Sequence, residues 1–148
     1  MKVMIRKANS EDMPYLLQEL KEFSKFIDTK RQVFSNEEYI KTNLQLIMDK
    51  HVFLVAEIGA LPVGFIAGFL TPHPMNPEIN LLSEVFWWVD KAHRNTRAGL
   101  ELLVAFIEHG KKHTDWITMT LESKSPVKEK ALLRRGFRNM EYSYLLEV

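Results

Sequence analysis

One stretch, from Leu82 to Lys112, restricts what this chain can become more than any other. Leu82-Ser83-Glu84-Val85-Phe86-Trp87-Trp88-Val89 is apolar, β-branched and aromatic, and it predicts a strand. A basic turn, His93-Arg94-Asn95-Thr96-Arg97-Ala98-Gly99, comes next. An amphipathic helix follows, because Leu100, Leu103, Val104, Phe106 and Ile107 share one helical face while Glu101, Glu108, Lys111 and Lys112 fall elsewhere. A helix start carries unpaired backbone N–H groups and a partial positive charge. Phosphate sits there without a dedicated cage, and Arg94 and Arg97 add two full charges at the same end.

The rest of the composition narrows the class. A chain of 148 residues, 46% of them hydrophobic, is expected to form one compact domain over 1–148. A formal net charge of +1 gives no global case for nucleic acid or an anionic membrane as partner. The arginines at 94, 97, 134, 135 and 138 would have to act as a cluster for a nucleic-acid reading to hold. With no cysteine, disulfides, thiolate nucleophiles and zinc sites of cysteine type are excluded. No apolar run approaches the ~20 residues of a membrane span, so a cytoplasmic protein is the expectation.

Taken in order, Val3 to Ala8 reads as a short strand, and Asn9-Ser10-Glu11-Asp12 suits a helix N-cap and first turn. A helix from about Met13 to Lys25 carries Leu16, Leu17, Leu20 and Phe23 as its apolar stripe. Ser35-Asn36-Glu37-Glu38 opens a second helix to about Asp49, with Tyr39, Ile40, Leu44, Leu46 and Ile47 inward and Glu38 completing a capping box. Val52 to Ile58 and Val63 to Leu70 form a hairpin through Gly59-Ala60-Leu61-Pro62. Thr71 to Glu78 holds three of the six prolines and reads as a stiff loop. After the central strand and helix come a strand from Trp116 to Leu121, a helix opened by Ser125-Pro126 and ended at Gly136, and a final strand from Phe137 to Glu147. This order predicts an α/β (α+β) fold: a mixed sheet with helices on both faces.

The spacing Arg94-x-x-Arg97-x-Gly99, five residues after Val89, resembles motif A of the GCN5-related N-acetyltransferases (GNAT), which reads Val-x-Pro-x-x-Arg/Gln-x-x-Gly-x-Gly/Ala. The likeness extends along the chain. Ile5-Arg6-x-Ala8 with Asp12 is similar to that family's opening, Pro62-Val63-Gly64-Phe65 to its third strand, and Arg134-x-Gly136-Phe137 to its closing motif. His73-Pro74-x-Asn76-Pro77 with Glu84-x-Phe86-Trp87-Trp88-Val89 further resembles a phage and prophage branch. The resemblance implies a central, mostly antiparallel twisted sheet of six to seven strands flanked by about four helices. It also implies acetyl-CoA as acyl donor, a small-molecule or peptide amine as acceptor, and dimers, which are frequent in the family.

Residue by residue, it assigns Arg94, Asn95, Thr96, Arg97, Ala98 and Gly99 to the pyrophosphate, the main chain of Trp87, Trp88 and Val89 to the pantetheine arm, and Ser125 to the position where an asparagine is common. Three departures stand out: Lys91 replaces a usual proline, Asn95 and Arg97 replace usual glycines, and Leu132 replaces a tyrosine that protonates the leaving thiolate. Either Arg97 folds outward and supplies charge or the turn is remodelled. Glu84 is the one carboxylate within the apolar strand, and a half-buried glutamate with a raised pKa suits removal of a proton from an ammonium. The alternative is a structural carboxylate bonded to a neighbouring strand. Strand alternation puts Glu84 with Phe86 and Trp88 unless a bulge intervenes.

His73 and Asn76 are expected to line the acceptor pocket from the proline-rich segment, beneath a roof shared with Thr29 to Ser35; a solvated loop histidine is the competing reading. Tyr142 and Tyr144 are the nearby replacements for the missing acid, or packing residues. His109 and His113 lie four apart on one helix without a third ligand pattern, so no metal is expected. The competing function is a GNAT-fold interaction module that binds coenzyme A weakly.

Overall fold

The computed structural model describes residues 2–148. Five strands form one open sheet in the order β1-β2-β3-β4-β5, namely β1 (Val3–Lys7), β2 (Val52–Ile58), β3 (Leu61–His73), β4 (Asn76–Val89) and β5 (Trp116–Thr118). The first three pairings are antiparallel and β4–β5 is parallel, which makes the sheet mixed. Four helices cover it: α1 (Met13–Ser24), α2 (Glu37–Lys50), α3 (Ala98–His113) and α4 (Glu129–Leu133). Alternation along the strands separates two cores. Phe53, Val55, Phe65, Ala67 and Trp88 pack against Leu16, Leu20, Leu44 and Ile47 of α1 and α2, while Leu54, Val63, Ile66 and Leu82 pack against Leu102 and Phe106 of α3.

Local chemistry sets the boundaries. Asn9 and Asp12 form a reciprocal capping box ahead of α1, and Arg6 grips the Asp12 carboxylate with two hydrogen bonds of 2.7 and 2.9 Å while its Nε lies 3.0 Å from Glu57. Burial pushes the Asp12 carboxyl up, but the Arg6 hydrogen bonds, the Asn9 N–H and the Arg6 charge together hold it below the ordinary carboxylate range. Asn36 caps α2 through the Tyr39 N–H at 3.0 Å; Glu38 forms no capping box and pairs with Lys41 instead. The expected inward positions Tyr39 and Leu46 are exposed. On α3 the buried residues are Ala98, Leu102, Leu103, Phe106 and Gly110, so the inner stripe runs partly beside the one expected.

Four further expectations are corrected. Thr71 to Glu78 is not a loop: β3 and β4 continue as a two-stranded arm with Pro72 opposite Asn80. Beyond Gly68 on one side and Leu81 on the other this arm has no further sheet neighbour, which is the edge setting where a strand tolerates proline. The strand at Trp116 ends at Thr118 rather than Leu121, because β4 and β5 part at that point. The last helix spans only Glu129–Leu133, since the Ser125 hydroxyl accepts the Val127 N–H at 3.0 Å and turns the chain before Lys128. Phe137 to Glu147 forms no strand, which leaves five strands instead of six to seven. Past Gly136, at φ +92°, the segment runs to the α1–α2 link, where the Glu147 carboxylate accepts the Lys30 and Arg31 N–H groups at 2.7 and 3.3 Å.

Candidate active site

The parallel pair β4–β5 holds for three positions, Leu81–Ser83 against Trp116–Thr118, and then opens. A cavity of about 220 Å³ fills the gap. Glu84, Val85, Trp87 and Trp88 line one wall, and Thr120, Leu121 and Glu122 the other. Phe23 at the end of α1, Phe26 just beyond it, and the turn Ser125-Pro126-Val127 close the remaining sides.

A bulge in β4 decides which side chains meet there. Opposite β3, Ala67 pairs with Phe86 and Gly68 with Glu84, so Val85 is the extra residue. Val85 and Phe86 therefore both pack on the α1–α2 side. Glu84 shares the register of Gly68, where an added Cβ would meet Phe106 of α3. The simple alternation that grouped Glu84 with Phe86 and Trp88 is broken at this point. Trp87 lies on the α3 side, its Nε1–H donating to the Gly99 carbonyl at 3.2 Å, and Trp88 lies on the other, its Nε1–H donating to Glu19 at 3.0 Å. The cavity is thus walled by residues from both faces of the sheet.

Glu84 is half-buried and its carboxylate accepts the Thr120 N–H at 3.0 Å across the gap. Burial pushes its carboxyl up; the Thr120 N–H pulls part of the way back and the nearby Glu122 charge adds to the rise, leaving it at about 7. Such a group accepts a proton reversibly at neutral pH, which is what a general base requires. Aromatic rings frame the α1 side, with Phe23 and Phe26 edge-on to Trp88 at centroid distances of 5.6 and 5.3 Å.

Above the gap, α3 begins at Ala98 with Arg97 as N-cap at φ −84°, ψ 3°. Apart from Ala60, no non-glycine residue among those described has positive φ, so Asn95 and Arg97 occupy the turn without left-handed strain. Arg97 is exposed and faces outward, its Nε 3.3 Å from Glu101. The Thr96 hydroxyl donates to the His93 carbonyl and accepts the Ala98 N–H at 3.2 Å, which pins the turn. Arg94 points the other way. Its Nε–H donates to the Val89 carbonyl at 3.1 Å, and its guanidinium lies 4.4 Å from the Trp88 ring centre and 5.6 Å from that of Phe26. Gly99 approaches Val89 closely enough to put an added Cβ 3.5 Å from its methyl, an ordinary contact.

Of the residues expected at the site, Glu84, Trp87, Trp88 and Ser125 are brought together around the cavity, and the turn Arg94 to Gly99 stands beside Trp87. His73 and Asn76 are not. Both sit at the tip of the β3–β4 arm, His73 accepting the Met75 N–H and stacking edge-on to Trp116 at 5.4 Å, and Asn76 accepting the Glu78 N–H. The Thr71 to Glu78 segment therefore does not roof the cavity. Leu132 is buried outside the lining, and Tyr142 and Tyr144 are exposed on the C-terminal segment, so no tyrosine from these positions reaches Glu84. His109 and His113 stack at 4.6 Å on α3. Among the described residues, no group of three or more His, Cys, Asp or Glu is arranged to hold a metal, and no helix is long and apolar enough to cross a membrane.

Two lining residues were not marked in the sequence, Glu122 and Phe26, and one buried group in the core beside α1, Tyr15, was not marked either. Glu122 and Phe26 lie in irregular backbone, where no periodicity assigns an inward side. The Tyr15 hydroxyl is buried with no hydrogen-bond partner among the described residues, and burial together with Asp90, Glu19 and Asp12 pushes its pKa upward. As one residue of an amphipathic helix it carried no distinguishing sign.

A parallel strand pair that parts in front of a basic helix start, with a carboxyl in the gap, marks an acetyltransferase architecture. The chain belongs to the acetyltransferase (GNAT) family, whose profile matches residues 13–137. The donor used by that family is acetyl-CoA. No curated protein is significantly similar in sequence. Among solved structures, a transcriptional regulator from Bacillus halodurans C-125 superposes with TM-score 0.79 at 20% identity, covering 99% of this chain and 100% of that one. A predicted acetyltransferase from Clostridium acetobutylicum, solved with acetyl-CoA, gives 0.73 at 12% identity over 99% and 96% of the two chains. A ribosomal-protein-alanine N-acetyltransferase from Brucella melitensis biovar Abortus 2308 gives 0.73 at 15% over 99% of each. At these identities the likeness is one of fold.

Proposed function

We propose that residues 1–148 act as one acetyl-CoA-dependent N-acetyltransferase domain that acetylates a primary amine by direct attack in a ternary complex. The observation that carries this reading is the Glu84 carboxyl, poised near neutrality inside a cavity open between β4 and β5. The cavity is walled by residues from both faces of the sheet, with Trp87 on the α3 side and Trp88 on the α1–α2 side. The main chain of Trp87 and Trp88 would hold the pantetheine arm and polarise the acetyl carbonyl; at Val89 the carbonyl already accepts from Arg94. The N-terminal N–H groups of α3, with the outward charge of Arg97, would hold the diphosphate.

In the reaction, Glu84 takes a proton from the acceptor ammonium. The amine nitrogen then forms a bond to the acetyl carbon, the carbon–sulfur bond breaks, and coenzyme A leaves as thiolate, which takes up the second proton released by the nitrogen as the amide forms. With a thiol pKa near ~8.5, that group departs without a protein acid, consistent with leucine at position 132. A chain without cysteine has no thiol to carry the acetyl group, which favours direct transfer. We place the activity in the cytoplasm, where acetyl-CoA is available; assignment to a phage-type branch rests on the His73 to Val89 pattern alone.

Calorimetric titration with acetyl-CoA at moderate ionic strength tests the reading. Micromolar affinity, about 8 kcal/mol, is expected. Absence of heat at millimolar ligand would favour a second reading, a GNAT-fold interaction module, for which the placement of Arg94 over Trp88 and against the Val89 carbonyl is the supporting observation.

A further inference from the structure

The cavity between β4 and β5 holds a second carboxylate for which proton removal at Glu84 has no use. Glu122, on the opposite wall, is half-buried, and its carboxylate has no ion pair and no hydrogen bond among the described residues. The cation nearest to it in sequence, Lys124, is exposed and paired with Asp28 at 3.0 Å. A carboxylate held partly out of water without a partner is costly, and the cost is recovered when a cation arrives. Its charge is also felt across the gap, where it contributes to the rise of the Glu84 carboxyl.

The rest of the lining points the same way. No lysine, arginine or histidine lines the cavity. An acceptor with a carboxylate beside its amine, as in a free amino acid, would meet two like charges and no partner for its own. Phe23, Phe26 and Trp88 supply aromatic surface, to which cations are attracted. The same rings already take one cation from outside the lining, the Arg94 guanidinium at 4.4 Å from the Trp88 centre. Val85 and Leu121 add apolar wall suited to methylene groups. At about 220 Å³ the cavity lies below the ~300–1,000 Å³ usual for drug-sized ligands, so the occupant is small.

We infer that the acceptor is a small linear diamine, one ammonium delivered to Glu84 and the other held by Glu122 beside the aromatic wall, an assignment that rests on the acetyl-transfer reading of this site. The charges then balance. A monoamine satisfies Glu84 and leaves Glu122 bare, whereas a diamine brings two positive charges to two carboxylates. During transfer the near nitrogen gives one proton to Glu84 and its second to the departing thiolate, as the nitrogen–carbon bond forms and the carbon–sulfur bond breaks. The far ammonium keeps its protons throughout.

Steady-state acetylation of putrescine, butylamine and γ-aminobutyrate by the wild-type chain tests this at pH 8, above the value of about 7 at which Glu84 ionises. The three share four carbons and differ at the far end, which is an ammonium, a methyl or a carboxylate. Putrescine should exceed butylamine by at least about tenfold in kcat/KM, the worth of one charge-assisted hydrogen bond, with γ-aminobutyrate last. Glu122→Gln should bring putrescine and butylamine together. Calorimetric titration of the same amines into both proteins separates this assignment from the acetyl-transfer reading. Putrescine bound by the wild type, bound weakly by the variant and acetylated by neither would uphold the diamine site and refute acetyl transfer. Butylamine acetylated as well as putrescine, or a preference that survives Glu122→Gln, would overturn the diamine assignment and leave acetyl transfer standing. Putrescine neither bound nor acetylated would overturn it as well.

Discussion

Replacing Glu84 by glutamine separates what this carboxyl does for catalysis from what it costs the fold. Glutamine keeps an oxygen to accept the Thr120 N–H at 3.0 Å, so the gap should hold its shape. It cannot take a proton from an ammonium. General-base catalysis typically contributes ~10²–10⁴-fold, so kcat should fall at least about a hundredfold with acetyl-CoA affinity unchanged. Wild-type kcat/KM should rise with pH through a midpoint about 7, where Glu84 ionises, and the variant should lose that limb. Stability should move the opposite way. The native carboxyl is raised from 4.5 to about 7, so its contribution is fully present below about 4.5 and is lost as pH rises through about 7. That difference corresponds to ~3 kcal/mol, reduced to ~2 because the residue is half-buried and partly screened. At pH 8 the variant should therefore be ~2 kcal/mol more stable than wild type in urea unfolding, with the gain shrinking towards pH 5. Unchanged turnover with an unchanged pH profile would remove Glu84 from the mechanism. Lost turnover with lost stability at pH 8 would mean a damaged site rather than a missing base.

Other perturbations follow from the same geometry. Arg97→Gly should weaken acetyl-CoA binding about three- to tenfold in calorimetry, most at low salt, because Arg97 supplies an outward charge and needs no left-handed backbone; tighter binding would refute this. Gly68→Ala should cost ~2–3 kcal/mol in urea unfolding, since its Cβ would lie 2.7 Å from Phe106 and 2.8 Å from the fixed Ser83 carbonyl. Asp12→Asn should cost ~1.5–3 kcal/mol at pH 7 by loosening the two-bonded grip of Arg6. Because Asp12 is held below its ordinary pKa, its contribution is present above the ordinary carboxylate range and lost as pH falls below it. The two proteins should therefore converge in acid-titrated thermal unfolding.

The elements that read most clearly were those whose period is enforced by burial on one face. The stripe of α1 and the runs of β2 and β3 each meet a core directly, so their sequence pattern is their structure. Legibility failed where a neighbour was missing. Residues 71–78 extend a hairpin because an arm without flanking strands tolerates proline, a fact about topology that no local pattern encodes. Phe137 to Glu147 alternates as a strand should, yet pairing needs an edge within reach, and here the chain turns away at Gly136. At the site, Glu84 was visible as a lone carboxylate in an apolar run. Its companions Glu122 and Phe26 come from irregular stretches, and the inward turn of Arg94 depends on a Trp88 ring six residues earlier.

The extra residue at Val85 works as a phase shift along β4. Below it, side chains keep one beat with β3; above it, they are displaced by half a period. Substitutions in the upper half can thus retune the aromatic wall at Phe86 and Trp88 without turning Glu84 away from Thr120. A deletion of Val85 would restore one unbroken alternation and leave Glu84 on the α3 side with Trp87, opposite Phe86 and Trp88. The strand carries two independently adjustable surfaces, and the joint between them is one residue long.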